Sequence, residues 1–403
     1  MCQHRLYFKL NIIILMSFEK VFSTDVISKR ERVELTLNHK PIDRAPILEQ
    51  LSYNPGVISM YTGRSIDGFN YTVDNICEVI RKTADMIMPP VSPRGTDRVT
   101  NDDGFVLQND NWTSWHISRP FTDEVGAKDW LVKRINKIKM LKCDPEYAWI
   151  YGIDSSQCKS KASTKMLRKW YNEYMISTQQ KIGDTVLMNF SFTGFCSVYD
   201  AMGIEFFTYF YLSYPEVMLE FMETSIEMEI RRVHAVADVQ LSPVILIPED
   251  FSHKGGPIFG PDVLEPFHYP YIKRLTDAWH EHGVKVLYHT DGNYKSVLPE
   301  LIKCNVDGFY CLEKNAGMDV LKLKNTFPEL VWAGGVDGVE LMERGSVDLV
   351  KAEVYQQISE TNVLNTGGMF VASSSEINPP IPPENFKAMV DACGELINPN
   401  FAS

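Results

Sequence analysis

The chain has 403 residues, 44% hydrophobic and 23% charged, with a formal net charge of −12. A chain of this length buries a core without disulfides, as one large domain or as two to three smaller ones. The acidic balance, with no basic stripe, disfavours nucleic acid as the main partner and leaves small-molecule chemistry as the expectation.

Residues 1–27 read as a leader unlike the rest. The apolar run "LNIIILMSF" (Leu10 to Phe18) follows His4, Arg5 and Lys9, as in a secretory signal. However, Asn11 interrupts it, Glu19 and Lys20 follow at once, and no small-x-small cleavage site appears. The run is far short of the ~20 residues that cross a bilayer. It reads as a disordered or misassigned leader, with Met16 as an alternative start. No other segment reads as transmembrane, and no membrane partner is expected. The eight cysteines are scattered, with no CxxC pair and no regular framework, which argues for a reducing compartment, the cytoplasm.

From Ser28 the pattern becomes regular, and residues 28–398 read as one domain. "SKRERVELTLNH" has a serine cap candidate and helical apolar spacing. "RAPILEQ" (44–50) is a short strand ending in Glu49, "TVDNICEVIRKTA" a helix, and "DMIMPP" a second strand. Between residues 94 and 118 the pattern alternates, and Asp103-Gly104 signals a hairpin turn, so this stretch reads as an antiparallel insertion covering one end of the domain. Residues 140–160 are irregular, and 163–183 form a long amphipathic helix ending at Gly183. Six further strands follow at 185–191, 243–250, 284–291, 307–313, 330–337 and 368–374. Helices at 205–238, 261–282, 294–303, 317–326, 338–361 and 382–396 alternate with them. Eight βα repeats with continuously apolar strands predict an α/β fold, a single (β/α)8 TIM barrel. A doubly wound sheet is the alternative, but neither GxGxxG nor GxxxxGK[ST] occurs to support a nucleotide fold.

In a barrel the active site lies at the C-terminal ends of the strands. Those ends carry Glu49, Asn189, Glu249 with Asp250, His289 with Asp291, Glu313, Asp337, and Ser373 to Ser375 with Glu376. Each has a plain reading, since Asp291, Asp337 and Asn378 could cap helices. Gathered at one rim, however, several carboxylates raise one another's pKa values or require a cation. "YHTDGN" (288–293) sets an imidazole and a carboxylate two residues apart at the end of an apolar run. It reads as a metal site, an acid/base pair, or a polar turn. A set of His289, Asp291 and Glu249, completed by water, suits zinc or another divalent ion. The Gly255-Gly256 loop either closes over a ligand or merely reverses the chain.

Six blocks in order carry a resemblance: "SKRERVELTLNHKPIDRAPI", "EDFSHKGGPIFGPD", "HGVKVLYHTDGN", "LEKNAGMDV", "WAGGVDG" and "INPPIPPENF". Through them the chain resembles the uroporphyrinogen decarboxylase superfamily, which also contains corrinoid- and coenzyme-M-linked methyltransferases. The resemblance implies a TIM barrel. The decarboxylase branch holds substrate carboxylates with an arginine-rich N-terminal motif, but "APILEQLSYNPG" has no arginine. The methyltransferase branch binds zinc through His-x-Cys on the fifth strand and a cysteine near the eighth. Here His289 matches the histidine, while Asp291 and Ser375 stand at the two cysteine positions, which makes any bound ion's surroundings harder.

The resemblance implies an enzyme nearer the methyltransferases, moving a methyl group from a small methylated substrate to a corrinoid on a carrier protein, while the residues themselves show an acidic pocket suited to a metal. His289, Asp291 and Asp250 are the catalytic candidates, and His289, Asp291 and Glu249 the metal ligands. Asn189, Tyr199, Asp337 and Glu376 are the substrate-binding candidates. The alternatives are decarboxylation of a porphyrinogen-like or smaller acid, for which Arg94 is the one early arginine within reach, and a non-catalytic ligand-binding barrel.

Overall fold

A computed structural model describes residues 19–50, 52–159 and 161–401. Most of the proposed leader lies outside the described residues. Asp25, within its last part, is buried against Arg32 and Arg44.

Eight parallel strands form the centre: β1 (Leu48–Glu49), β2 (Met86–Ile87), β3 (Val186–Leu187 with Asn189–Phe190), β4 (Val244–Pro248), β5 (Lys285–His289), β6 (Gly308–Tyr310), β7 (Val331–Val336) and β8 (Met369–Ser373). β1 pairs with β2 and β2 with β3. From β3 the ladder continues through β4, β5, β6 and β7 to β8. β8 then returns to the start, because Val371 bridges Ile47 in parallel and its amide donates to Pro46 O at 2.9 Å. The sheet therefore closes on itself. Helices follow the strands and cover the outside, so the strands are buried on both faces, as their apolar runs require. No helix among the described residues is long and apolar enough to cross a membrane.

The structure refines several expected elements. The insertion is a three-stranded antiparallel sheet, Arg98–Thr100, Val106–Asp110 and Thr113–Ser118, rather than a single hairpin. The helix expected over 205–238 is two helices, Ile204–Ser213 and Pro215–Val236, and a further helix, Phe195–Met202, precedes them. Tyr214 before Pro215 divides the two, and Gly203, at φ 75°, parts them from the preceding helix, because a pre-proline residue avoids the helical region and glycine adopts that backbone readily. The irregular stretch contains two 3-10 helices, Pro145–Tyr151 and Ser155–Lys159.

At the N-terminal ends of β1 and β2 a buried ionic cluster ties the seam. Arg44 Nε reaches Asp25 Oδ1 at 2.6 Å and its Nη1 reaches Asp85 Oδ2 at 2.7 Å. Arg32 reaches Asp85 Oδ1 at 2.8 Å and Asp43 Oδ2 at 2.6 Å. Asp85 Oδ2 also accepts from the Ile47 amide at 2.8 Å, coupling the cluster to β1.

Candidate functional site

The opposite ends of the strands build an acidic mouth. His289 is the last residue of β5 and pairs in register with Pro248 of β4, so the residues just beyond each strand face one another. His289 Nε2 lies 3.2 Å from Asp250 Oδ1 and 3.8 Å from Asp291 Oδ1. One ligand atom from each of the three residues lies within 4.8 Å of the others. The His289 side chain is 13% exposed, whereas those of Asp250 and Asp291 are 53% and 56% exposed, so the set opens outward from an anchored imidazole.

Gly292 fixes this turn. Its φ is 72°, and a Cβ there would stand 2.6 Å from the His253 backbone. Its amide donates to Glu313 Oε1 at 2.6 Å, and the Asn293 amide donates to His253 O at 2.9 Å. The glycine-rich loop after β4 is thereby held against the end of β5. Its Ser252–His253 and Gly256–Pro257 segments pair antiparallel.

The electrostatics are those of an acid excess around one imidazole. Burial alone would depress His289, but Asp250 outweighs it, with Asp291 and Glu313 adding, and pushes the pKa up to about 9. Desolvation raises Asp291 to about 6, against the pull of His289. Asp250 is held low because His289 offsets its own desolvation.

One ligand expectation is corrected. Glu249 does not join the set. It is buried beside it, accepting from Thr193 Oγ1 and from the Cys196 amide at 2.9 Å. Consecutive residues of an extended chain point to opposite sides, so of the Glu249-Asp250 pair only Asp250 faces the mouth. Burial raises Glu249 to about 7.

The substrate-binding candidates divide. Asn189 is fully buried, donating to Ile150 O at 3.2 Å and accepting from the Phe190 amide at 2.8 Å, so it clamps the first 3-10 helix to β3 and does not reach the mouth. Asp337 is a cap: Oδ1 accepts from the Val339 and Glu340 amides at 3.0 and 2.7 Å, and Oδ2 accepts from Asn315. Tyr199 stays near the mouth, its hydroxyl 3.6 Å from Cys196 Sγ. Glu376 stays there too. Burial raises its pKa against the opposing charge of Arg94, and Asp291 adds to the rise. Ser375 turns away, its Oγ donating to Glu376 O at 3.3 Å.

Cys311 and Tyr310 were missed at the rim, and Glu49, though expected there, was not among the site candidates. Cys311, just past β6, is fully buried, and its thiol donates to Ser374 O at 2.7 Å. Burial and then the neighbouring Asp291 and Glu313 raise its pKa. The ring of Tyr310 lies 5.3 Å from that of His289. The register of β6 beside β5, not any motif, brings both here. Glu49, at the end of β1, is fully buried, with Oε1 accepting from the Ser373 amide at 3.3 Å and Oε2 without a partner among the described residues. Burial pushes its pKa up to about 8.

The family model for uroporphyrinogen decarboxylase (URO-D) matches residues 167–396, more than half of the chain. The chain belongs to the URO-D family. The matched span contains β3 through β8 and the whole Asp250, His289 and Asp291 set. Among solved structures, this URO-D chain is similar to a methyltransferase from Methanosarcina mazei. Identity is 16% and the TM-score 0.59, over 91% of this chain and 98% of that one, so the likeness concerns the fold. A sugar phosphate isomerase/epimerase from Parabacteroides distasonis aligns at 10% identity over 57% of this chain and 74% of that one. Its TM-score of 0.26 carries no argument. No curated protein matches the sequence.

The mouth's donor set fits a divalent cation. One imidazole nitrogen and two carboxylate oxygens converge from three side chains, and these donors suit zinc or another first-row ion. With no thiolate in the set, the surroundings are harder than an all-sulfur site.

Proposed function

We propose that this URO-D family member is a methyltransferase. It takes a methyl group from a small methylated substrate and passes it to a corrinoid on a carrier protein, with Asp250, His289 and Asp291 holding zinc or another divalent ion. The convergence of these three side chains at the open end of the barrel carries the reading. A bound ion would supply Lewis acidity, polarising the heteroatom that gives up the methyl group.

The chain's own groups have separate tasks in this reading. Glu313 and Gly292 hold the turn that presents Asp291. Glu249, whose pKa burial raises to about 7, fixes the Thr193–Cys196 turn by accepting from the Thr193 hydroxyl and the Cys196 amide. Tyr199 and Glu376 flank the substrate. Decarboxylation of a polycarboxylate is disfavoured by charge: Arg32 and Arg44 are spent on the seam cluster, and Arg94 is exposed with its Nη1 on Ser114 Oγ at 2.6 Å.

The test is metal content by elemental analysis, in wild type beside Asp250→Ala, His289→Ala and Asp291→Ala, followed by methyl transfer to cob(I)alamin read from its visible spectrum. Near-stoichiometric divalent metal, lost in the variants, together with wild-type turnover, is the expected result. A wild type that stays metal-free after zinc loading overturns the metal role.

A further inference from the structure

Cys143 and Cys158 lie away from the acidic mouth and take no part in its chemistry. Cys143 follows the helix Glu124–Leu141, whose cap Lys142 has the left-handed φ of 57°. Cys158 lies in the second 3-10 helix. Their sulfurs stand 3.2 Å apart, and the residues are 0% and 1% exposed. A disulfide bond is about 2.05 Å long, so closure needs the sulfurs to approach by about 1 Å.

The segment between them carries much of the wall beside β3. Asp144 and Glu146 pair with Arg134. Tyr147 stacks on Phe192 with ring centroids 4.2 Å apart. Trp149 packs edge-on against Phe190 and Phe192, and Ile150 O receives the Asn189 side chain. Oxidant has a route, because Cys158 lines a cavity of about 710 Å³ together with Asp144, Glu146, Ser197 and Asp200. The two thiols share a hydrogen bond, and Cys158 is the one of the pair that lines the cavity, so it meets an entering oxidant first.

We propose that Cys143 and Cys158 form a reversible thiol–disulfide site that pins the segment between them against β3 when a peroxide oxidises it. The Cys158 thiolate attacks a peroxide oxygen, expelling hydroxide and giving a sulfenic acid. The Cys143 thiol then attacks that sulfur, the S–S bond forms and water leaves. In sum two thiols are oxidised to one disulfide and one hydrogen peroxide is reduced to two waters. A dithiol reductant reverses the step by exchange. The bond closes the loop between two cysteines 15 positions apart and restrains its opening.

The sequence makes the test direct. Lys142 precedes Cys143 and Lys159 follows Cys158, with no lysine or arginine between, so both thiols fall in one tryptic peptide. The full chain is treated with hydrogen peroxide, blocked with N-ethylmaleimide in denaturant, digested and weighed. The expected peptide is unlabelled and two hydrogens lighter, and it takes two labels after dithiothreitol. Two labels after peroxide, over-oxidised Cys158, or a link to another cysteine would each overturn the proposal. In a second measurement, chymotryptic cleavage within the segment slows about 3-fold or more on oxidation of wild type, and not in Cys143→Ser or Cys158→Ser. A linked peptide with unchanged cleavage overturns the pinning, and the wild-type peptide map decides the bond even if neither variant folds.

Discussion

The two ends of the barrel bury carboxylates in opposite ways. At the N-terminal end, Asp25, Asp43 and Asp85 share two guanidinium groups, and Asp85 is held down to about 2 because Arg44 and Arg32 outweigh its burial. At the C-terminal end, Asp250, Asp291 and Glu313 gather around one imidazole, and elsewhere on that rim burial raises Glu49 to about 8 and Glu249 to about 7. The first arrangement is satisfied internally and serves the fold. The second is left short of positive charge, and that deficit is what a cation or a polarised substrate would meet.

The largest effect expected from breaking this contrast comes from the paired end. Arg44→Ala leaves buried Asp25, Asp43 and Asp85 to share Arg32 alone, and should cost about 3–5 kcal/mol in a denaturant titration. A loss under about 1 kcal/mol would mean the seam is not held by charge. At the mouth, His289→Ala should leave the fold near wild type but weaken metal binding by about 100-fold or more, since it removes a ligand rather than a supporting group. Competition with a chelator measures this. Gly292→Ala forces a side chain against the His253 backbone at a left-handed position, and should cost about 1–3 kcal/mol with loosening of the 252–257 loop, read by hydrogen exchange.

The smallest effect is a difference in pH dependence. Asp85 is depressed in the folded state, so its stabilisation is full above its ordinary 3.8 and is lost as pH falls toward about 2. Glu49 is raised, so the folded chain holds its proton more tightly than the unfolded chain. Its contribution is present below 4.5 and fades as pH rises toward about 8. Glu49→Gln should therefore flatten the alkaline fall in Tm between about pH 5 and 8, leaving the acid limb unchanged. An unaltered alkaline limb would show that Glu49 does not carry a proton there.

The barrel was legible because strands buried on both faces become apolar runs, and each run ends abruptly at a polar residue such as Asp250 or His289. The side each rim residue faces was not legible. Glu249 and Asp250 are neighbours, and a shift of one residue at the strand end exchanges the one that reaches the mouth. Asn189 failed in the same way, turning outward to Ile150 while Phe190 takes the other face. Asp25, Arg32, Asp43, Arg44 and Asp85 come together only through long-range packing, as do Cys143 and Cys158, whose spacing follows no framework. His289 with Asp291 was visible because both partners sit in one short turn.

The closing contact between Ile47 and Val371 joins the first strand to the last. During synthesis β1 leaves the ribosome early, yet its second neighbour is made only when nearly the whole chain has been translated. Until then the growing sheet has two unpaired edges, and β1, two residues long, offers little of its own to hold a place. A message truncated just before β8 would thus yield almost all of the barrel's sequence and none of its closure, a product suited to capture by chaperones rather than to catalysis.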